Sequence, residues 1–361
     1  MKIVTPILKR MVYPSLARTG CLRWLSPAGL AVVTYHGVFP DGYDAIDPAL
    51  DGNLVSARRL RRQLQSLKAD YDVISPEDAL AWRLGQGGLP ARAVLLTCDD
   101  GLLNNLTEML PVLREEGLRC LFFVTGASAE KKRSTLWYED LLLLLLKAPA
   151  GRLEICGEQI TIRGKLGLRA QRQTIWWNAV KQLSEITAEA RDSFLWTARR
   201  QLGLEEIKID ENSTWCRRFG LLTVPELRQL AAAGMTIGAH TMSHPMLSHM
   251  PAELARAEVA DCRAELEAAL QTEIWAFAYP FGDAESVTPE VLAIPKQVGY
   301  QAAFVNVGGG LGTDLSPFAL PRVHVTAAMS PAEFEAHVSG FYARLHRHRG
   351  GVAPALESAR G

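Results

Sequence analysis

An apolar run, Val94 to Thr97, leads straight into Cys98-Asp99-Asp100-Gly101. Two adjacent carboxylates at the end of a hydrophobic strand cannot both be buried without a cation or hydrogen-bond donors beside them. A metal ion is the simplest partner. Neighbouring strand residues point to opposite faces, so one carboxylate can reach an ion while the other reaches the water next to it. A strand that merely ends in an Asp-rich turn is the plain alternative. About 140 residues further on, Ile237 to Pro245 (IGAHTMSHP) places His240 and His244 four apart after a second apolar run. In a helical turn such a pair shares one face, and both imidazoles can address one ion. A solvated loop pair is the alternative, and the nearby His249 is read that way. One Asp and two His leave coordination positions open for water and substrate, as a catalytic site requires. A bound divalent ion acidifies its water, and a second carboxylate within reach takes the proton as that water attacks a carbonyl. The chemistry this describes is amide or ester hydrolysis.

Something must hold these residues together. Short β-rich runs at 30–35, 93–97, 118–125, 235–239, 274–278 and 302–307 each end at a polar or glycine cluster. Helical patterns at 56–67, 106–116, 224–233, 251–270 and 289–298 fall between most of them, each read as opened by a Ser, Thr or Pro signal. Alternating strands and helices imply a parallel sheet. Tyr35-His36, Asp99-Asp100, His240 and Tyr279 to Asp283 all lie where those strands end, which is the pattern of a (β/α) barrel with its site at the C-terminal face. A doubly wound open sheet is the alternative, although no Gly-rich phosphate loop follows the first strand. Residues 127–219 break the rhythm, with helical periodicity at 134–146 and 170–202 and a β-like piece at 153–162. They read as an insertion in one βα connection with structure of its own, placed to cover the mouth of the site.

Composition narrows the partners. With 361 residues and 48% hydrophobic content the chain can bury a full core. Lys+Arg and Asp+Glu both number 39, so there is no basic field to hold nucleic acid. The six cysteines include no CxxC pair, which argues against a zinc ribbon or redox motif and favours a reducing compartment. Lys9, Arg10, Arg18 and Arg23 interrupt the N-terminal apolar runs, so no signal peptide is read there, and a cytoplasmic location is expected. The first 25 residues are expected to pack on the barrel as a helix, with a basic amphipathic helix making peripheral contact with the inner membrane face as the alternative.

The motifs together resemble a known family. The chain is similar to the polysaccharide deacetylases of carbohydrate esterase family 4, the NodB homology domain. Its TCDDG looks like the family's TFDDG, its HTMSH fits H-[ST]-x-x-H, and Phe122 to Gly126 (FFVTG) follows the first motif in the family's order. The resemblance covers about residues 32–325 apart from the insertion. It implies a deformed (β/α)7 TIM-like barrel carrying a largely helical insertion. In that reading 1–29 is an N-terminal helical extension, 30–345 the barrel with its insertion at about 127–219, and 346–361 a flexible tail.

The resemblance further implies that Asp99 is the general base and that Asp100, His240 and His244 bind the metal. That metal would be zinc, with Mn2+, Co2+ and Ni2+ as alternatives. Ala278-Tyr279-Pro280-Phe281 matches the third motif without its arginine, so Ala278 cannot orient Asp99; the backbone N–H of Phe281 would help bind the oxyanion, and Tyr279 and Pro280 stand at the same substrate-facing motif. Arg322 is a candidate replacement for the missing arginine, grouped with the substrate and oxyanion residues. His324 is the candidate acid for the leaving amine, with a strand histidine as the alternative. His36, in Thr34 to Val38 (TYHGV), would contact substrate or serve as the acid instead. Trp137, Tyr138, Trp176 and Trp177 could stack on sugars, but helical Trp is more often core. The expected activity is metal-dependent removal of acetyl groups, N-acetyl of a hexosamine first, from a polysaccharide or its lipid-linked precursor. A degenerate barrel that binds glycan without turnover, or a metal amidase or esterase on a non-sugar substrate, are the rivals.

Overall fold

The computed structural model describes residues 8–24, 29–45, 51–129, 133–147, 151–155, 158–162, 168–201, 210–307 and 316–347. Its strands are β1 (Gly29–Tyr35), β2 (Asp72–Ile74), β3 (Arg92–Cys98), β4 (Leu121–Val124), β5 (Gly151–Ile155), β6 (Glu158–Ile162), β7 (Thr236–Ala239), β8 (Ala276–Ala278), β9 (Ala302–Val305), β10 (Leu320–Pro321) and β11 (Val323–His324). Among the described residues, apart from the antiparallel β5–β6 hairpin, the named strands pair in parallel. The main sheet runs β10-β9-β8-β7-β4-β3-β1-β11, with β2 beside the first half of β3.

Only Arg322 separates β10 from β11, so the two ends of that order are one continuous stretch of chain. Leu320–Pro321 pairs with β9 and Val323–His324 pairs with β1. That stave closes the sheet into the expected barrel, with helices outside.

A parallel sheet covered on both faces needs apolar residues at every position, and β1 is buried throughout. Alternate residues then divide between two layers. Leu30, Val32, Leu95, Phe123, Ala278 and Phe304 fill the barrel interior. Ala31, Val33, Val94 and Leu96 face outward, beneath Leu60, Leu64 and Leu67 of the Ala57–Asp70 helix. Full burial of each large side chain contributes about 1.5–3 kcal/mol. Gly238 in β7 makes the interior possible: a Cβ there would stand 2.7 Å from the Phe123 ring.

Two expected helices are broken in the structure. The pattern at 106–116 divides into a π-helical turn, Asn105–Met109, and an α-helix, Leu110–Glu116, because Pro111 has no N–H to continue the ladder. The pattern at 170–202 divides into Leu168–Leu183 and Ala188–Gln201, where Thr187 accepts from the Ala190 N–H and starts the second helix. These helices and the Trp137–Lys147 helix share a core of their own that includes Trp137, Leu141, Trp176, Val180 and Leu195. At the N-terminus, Tyr13 and Leu22 pack against Ala336, and Lys9 pairs with Glu333 at 2.7 Å. Among the described residues no helix is long and apolar enough to cross a membrane. Cys21, Cys98, Cys120, Cys216 and Cys262 are free thiols. Cys156, residues 1–7 and the tail from 348 lie outside the described residues.

A candidate metal centre at the rim of the barrel

The alternation that fills the barrel also sets the site. Even positions of β1 and odd positions of β3 face inward, so continuing that parity past the strand ends brings His36 and Asp99 to the rim. His240 after β7, Asn306 after β9 and His324 at the end of β11 arrive in the same way. All five line a cleft of about 510 Å³.

Asp100 has the wrong parity and reaches the cleft by backbone conformation. Its φ of 76° is left-handed, as are those of Thr241 (64°), His244 (55°) and Phe281 (60°). Each such non-glycine residue costs about 1–3 kcal/mol, and strain gathered at one rim is a mark of a functional site. Asp100 Oδ1 lies 3.6 Å from His240 Nε2 and 3.5 Å from His244 Nε2. All three residues are buried, and their ligand atoms fall within 4.8 Å of one another.

Each donor is in the state a cation needs. His240 Nδ1 lies 2.7 Å from the Ala278 carbonyl oxygen, which can only accept, so Nδ1 carries the proton and Nε2 is free to bind an ion. Burial first, then the neighbouring His240, push His244 down to about 3, so its imidazole is neutral. Burial alone would raise Asp100, but the hydrogen bond with His240 and the histidines around it outweigh that and hold it below the usual carboxylate range. One carboxylate and two imidazoles fit a divalent ion of the zinc type.

The turn carrying His244 is clamped from outside. Trp137 Nε1 donates to the His244 carbonyl at 3.0 Å, and Arg191 Nη2 donates to Ser243 Oγ at 2.7 Å. Glu258 accepts from the Ser243 N–H at 2.9 Å and from its hydroxyl at 2.7 Å.

Asp99 stands beside Asp100, His240 and His244 with both carboxylate oxygens hydrogen-bonded. Arg322 donates Nη1 to Oδ1 and Nη2 to Oδ2, each at 2.6 Å, and both side chains are fully buried. Nη1 also reaches Thr34 Oγ1 at 3.2 Å. Burial pushes Asp99 up, yet the Arg322 charge, then those of His240 and His36, bring it below the usual carboxylate range.

A family model described as polysaccharide deacetylase matches residues 86–161 and 206–303. The chain belongs to the polysaccharide deacetylase family. Among curated proteins it is 26% identical over 117 residues to YxkH of Bacillus subtilis (strain 168), which carries a polysaccharide deacetylase name; the match covers 32% of this chain and 41% of the relative, less than half its length. The fold is similar to that of the Streptococcus pyogenes deacetylase PplD in complex with acetate, with a TM-score of 0.53 and 16% identity over 87% of this chain and 99% of that one. IcaB from Ammonifex degensii matches with a TM-score of 0.53 and 19% identity over 87% and 98%.

In this deacetylase-family chain the expected site residues separate. Asp99, Asp100, His240, His244, His36, His324 and Phe281 line one cleft. Tyr279 does not: it is 1% exposed, donates its hydroxyl to the Phe318 carbonyl at 3.0 Å and belongs to the outer core. Pro280 is buried and shapes the turn that presents Phe281, but it does not line the cleft. Arg322 does not line the cleft either; it sits behind Asp99 at 1% exposure. His324 rests neutral, because burial and then His36 push it down to about 3. His249 stands apart, 3.6 Å from Glu185. Trp137 and Trp176 are core, Trp176 with an edge on the cleft, and Trp177 is half-exposed beside it. Sequence spacing carried no signal for Arg191 or Glu258; Asn306 follows a strand end and was readable from that.

Proposed function

We propose that this chain is a metal-dependent hydrolase that removes acetyl groups from an acetylated glycan, the N-acetyl of a hexosamine foremost, in a cell-surface polysaccharide or its lipid-linked precursor. The reaction would break a carbon–nitrogen bond other than a peptide bond. The observation that carries the reading is the Arg322–Asp99 pair standing beside Asp100, His240 and His244 in one cleft. On this reading Asp99 is an oriented base and Asp100, His240 and His244 are the cation site beside it.

Asp100, His240 and His244 would hold the ion, zinc by donor type with Mn2+, Co2+ or Ni2+ as alternatives. When bound, the ion supplies Lewis acidity toward the acetyl carbonyl and lowers the pKa of water. Asp99 takes the proton from the attacking water, and Arg322 holds both of its oxygens so that the carboxylate neither turns away nor protonates at rest. Among the described residues the Phe281 N–H has no hydrogen-bond partner, and it is free to donate to the oxyanion. The leaving amine needs a proton. His324 begins neutral, so it must first receive the one taken by Asp99. His36 provides the route: its Nε2 lies 4.0 Å from Asp99, and its ring centroid is 4.7 Å from that of His324. The occupied place of the missing motif arginine also weighs against a barrel that binds glycan without turnover.

The test is acetate release from N-acetylhexosamine monomers, oligomers and lipid-linked sugars, with and without zinc. The reading expects metal-dependent release that is lost in Asp99→Asn and His240→Ala. Metal binding without release from any sugar would overturn it.

A further inference from the structure

Three consecutive residues at the start of the inserted helix Trp137–Lys147 link it to the barrel, each by a different contact. Glu139 accepts from Arg218 Nη1 at 2.6 Å, and Arg218 Nε in turn reaches Asp51 at 3.0 Å, all three side chains being buried. Trp137 holds the His244 carbonyl through its Nε1. Tyr138, between them in sequence, lines the cleft and donates its hydroxyl to Asp100 Oδ2 at 3.4 Å. A carboxylate can only accept, so the phenol is the donor.

The two oxygens of Asp100 are thereby divided. Oδ1 faces both imidazoles, 3.6 Å from His240 Nε2 and 3.5 Å from His244 Nε2, whereas Oδ2 faces Tyr138. The phenol cannot easily turn away. Its ring centroid lies 5.8 Å from that of Trp137, 5.1 Å from His244 and 6.4 Å from Trp176, and Trp176 Nε1 donates to the Tyr138 carbonyl at 2.7 Å. Packing among these rings needs only the aromatic body; the hydroxyl is a separate polar handle, and it is spent on Oδ2. Keeping Oδ2 from an ion has a chemical consequence. A carboxylate that binds through one oxygen suits the four-coordinate geometry of zinc, whereas one that chelates through both raises the coordination number toward the oxygen-rich shell that suits manganese.

From this division, and resting on the metal site proposed above, we infer that Tyr138 is a positioning residue that limits Asp100 to ligation through Oδ1, so that the insertion biases the barrel toward zinc over manganese. The barrel alone holds His240, through the Ala278 carbonyl, while neighbouring residues of the insertion hold the other two ligands. Tyr300 is the internal control. It is buried in the outer core, donates its hydroxyl to the Val259 carbonyl at 3.1 Å and does not line the cleft.

The experiment measures zinc and manganese affinity of the full chain by competition with a chelating dye, and the visible absorption of the Co2+ form, in wild type, Tyr138→Phe and Tyr300→Phe. Tyr138→Phe is expected to lower zinc affinity about tenfold and manganese affinity by less, so that the zinc-to-manganese ratio falls. Its Co2+ bands should weaken, because a higher-coordinate Co2+ absorbs less strongly than a tetrahedral one. Tyr300→Phe, which also loses a buried hydroxyl, should leave ratio and spectrum unchanged. A ratio and spectrum unaltered in Tyr138→Phe would overturn the inference even if both affinities fell, since lost stability weakens both ions alike. The same shift in Tyr300→Phe would overturn it too. Acetate release is read separately. If the wild type binds an ion but releases no acetate from any sugar, the proposed reaction fails, while the ratio and spectrum still decide the role of Tyr138. A wild type that binds no divalent ion would remove both.

Discussion

Replacing Arg322 with Met keeps much of the side-chain volume and removes the charge. Asp99 is fully buried, and its two Arg322 hydrogen bonds of 2.6 Å are what offset that burial. Left alone, the carboxylate would be an uncompensated buried charge, a loss that costs about 3–5 kcal/mol. Its pKa would rise, because burial already pushes that way and the Arg322 charge is the strongest opposing influence. Asp99→Asn alone should also destabilise, since it strands the buried guanidinium. The double variant Asp99→Asn/Arg322→Met removes both charges at once, so its loss should fall short of the sum of the single losses by at least about 2 kcal/mol. Urea unfolding of the four proteins at pH 7 gives this coupling, read without metal so that ion binding does not contribute. Acetate release by Arg322→Met should approach the loss seen in Asp99→Asn, about 10²–10⁴-fold for removal of a positioned base. Additive stabilities, or a single-variant loss below ~1 kcal/mol together with wild-type turnover, would refute the claim that Arg322 replaces the missing motif arginine.

Chelation should abolish acetate release, with zinc restoring it in the wild type but not in His244→Ala, as followed by metal content after dialysis and by activity. Trp137→Phe and Arg191→Gln each loosen the turn bearing His244, and zinc affinity should fall about 10–100-fold, measured by competition with a chromogenic chelator. Unchanged affinity in both would make the clamp purely structural. Glu139 shares the buried Arg218 with Asp51, and burial pushes its carboxyl up to about 7 against the opposing Arg218 charge. A folded pKa above the unfolded one means that stability is lost as pH rises from about 4.5 to 7, at no more than ~1.4 kcal/mol per pH unit. Glu139→Gln should flatten that slope in urea unfolding across the window, and an unaltered slope would contradict the assignment.

Much of this protein was legible in its sequence because the signals were local. The strands ending at Tyr35, Cys98 and Ala239 were marked by apolar runs, and strand parity alone brings His36, Asp99 and His240 to one rim. The pairing of Asp100 with His240 and His244 follows from motif order. Other features depended on parts of the chain far apart in sequence. β10 and β11 are two residues each, too short to show a period, yet their joint stave closes the barrel and carries Arg322 to Asp99 across 223 positions. Tyr279 looked like part of the site because it stands in a motif, but its parity turns it into the outer core. Arg191 and Trp137 gave no warning that they hold the His244 turn, since that contact exists only once the insertion has folded back onto the barrel. The sequence by itself determined which residue types could bind an ion and take a proton, because local pattern and strand alternation suffice for that. Only the tertiary structure decided which arginine serves Asp99 and which tryptophans reach the cleft, because both depend on closing the sheet and docking the inserted helices.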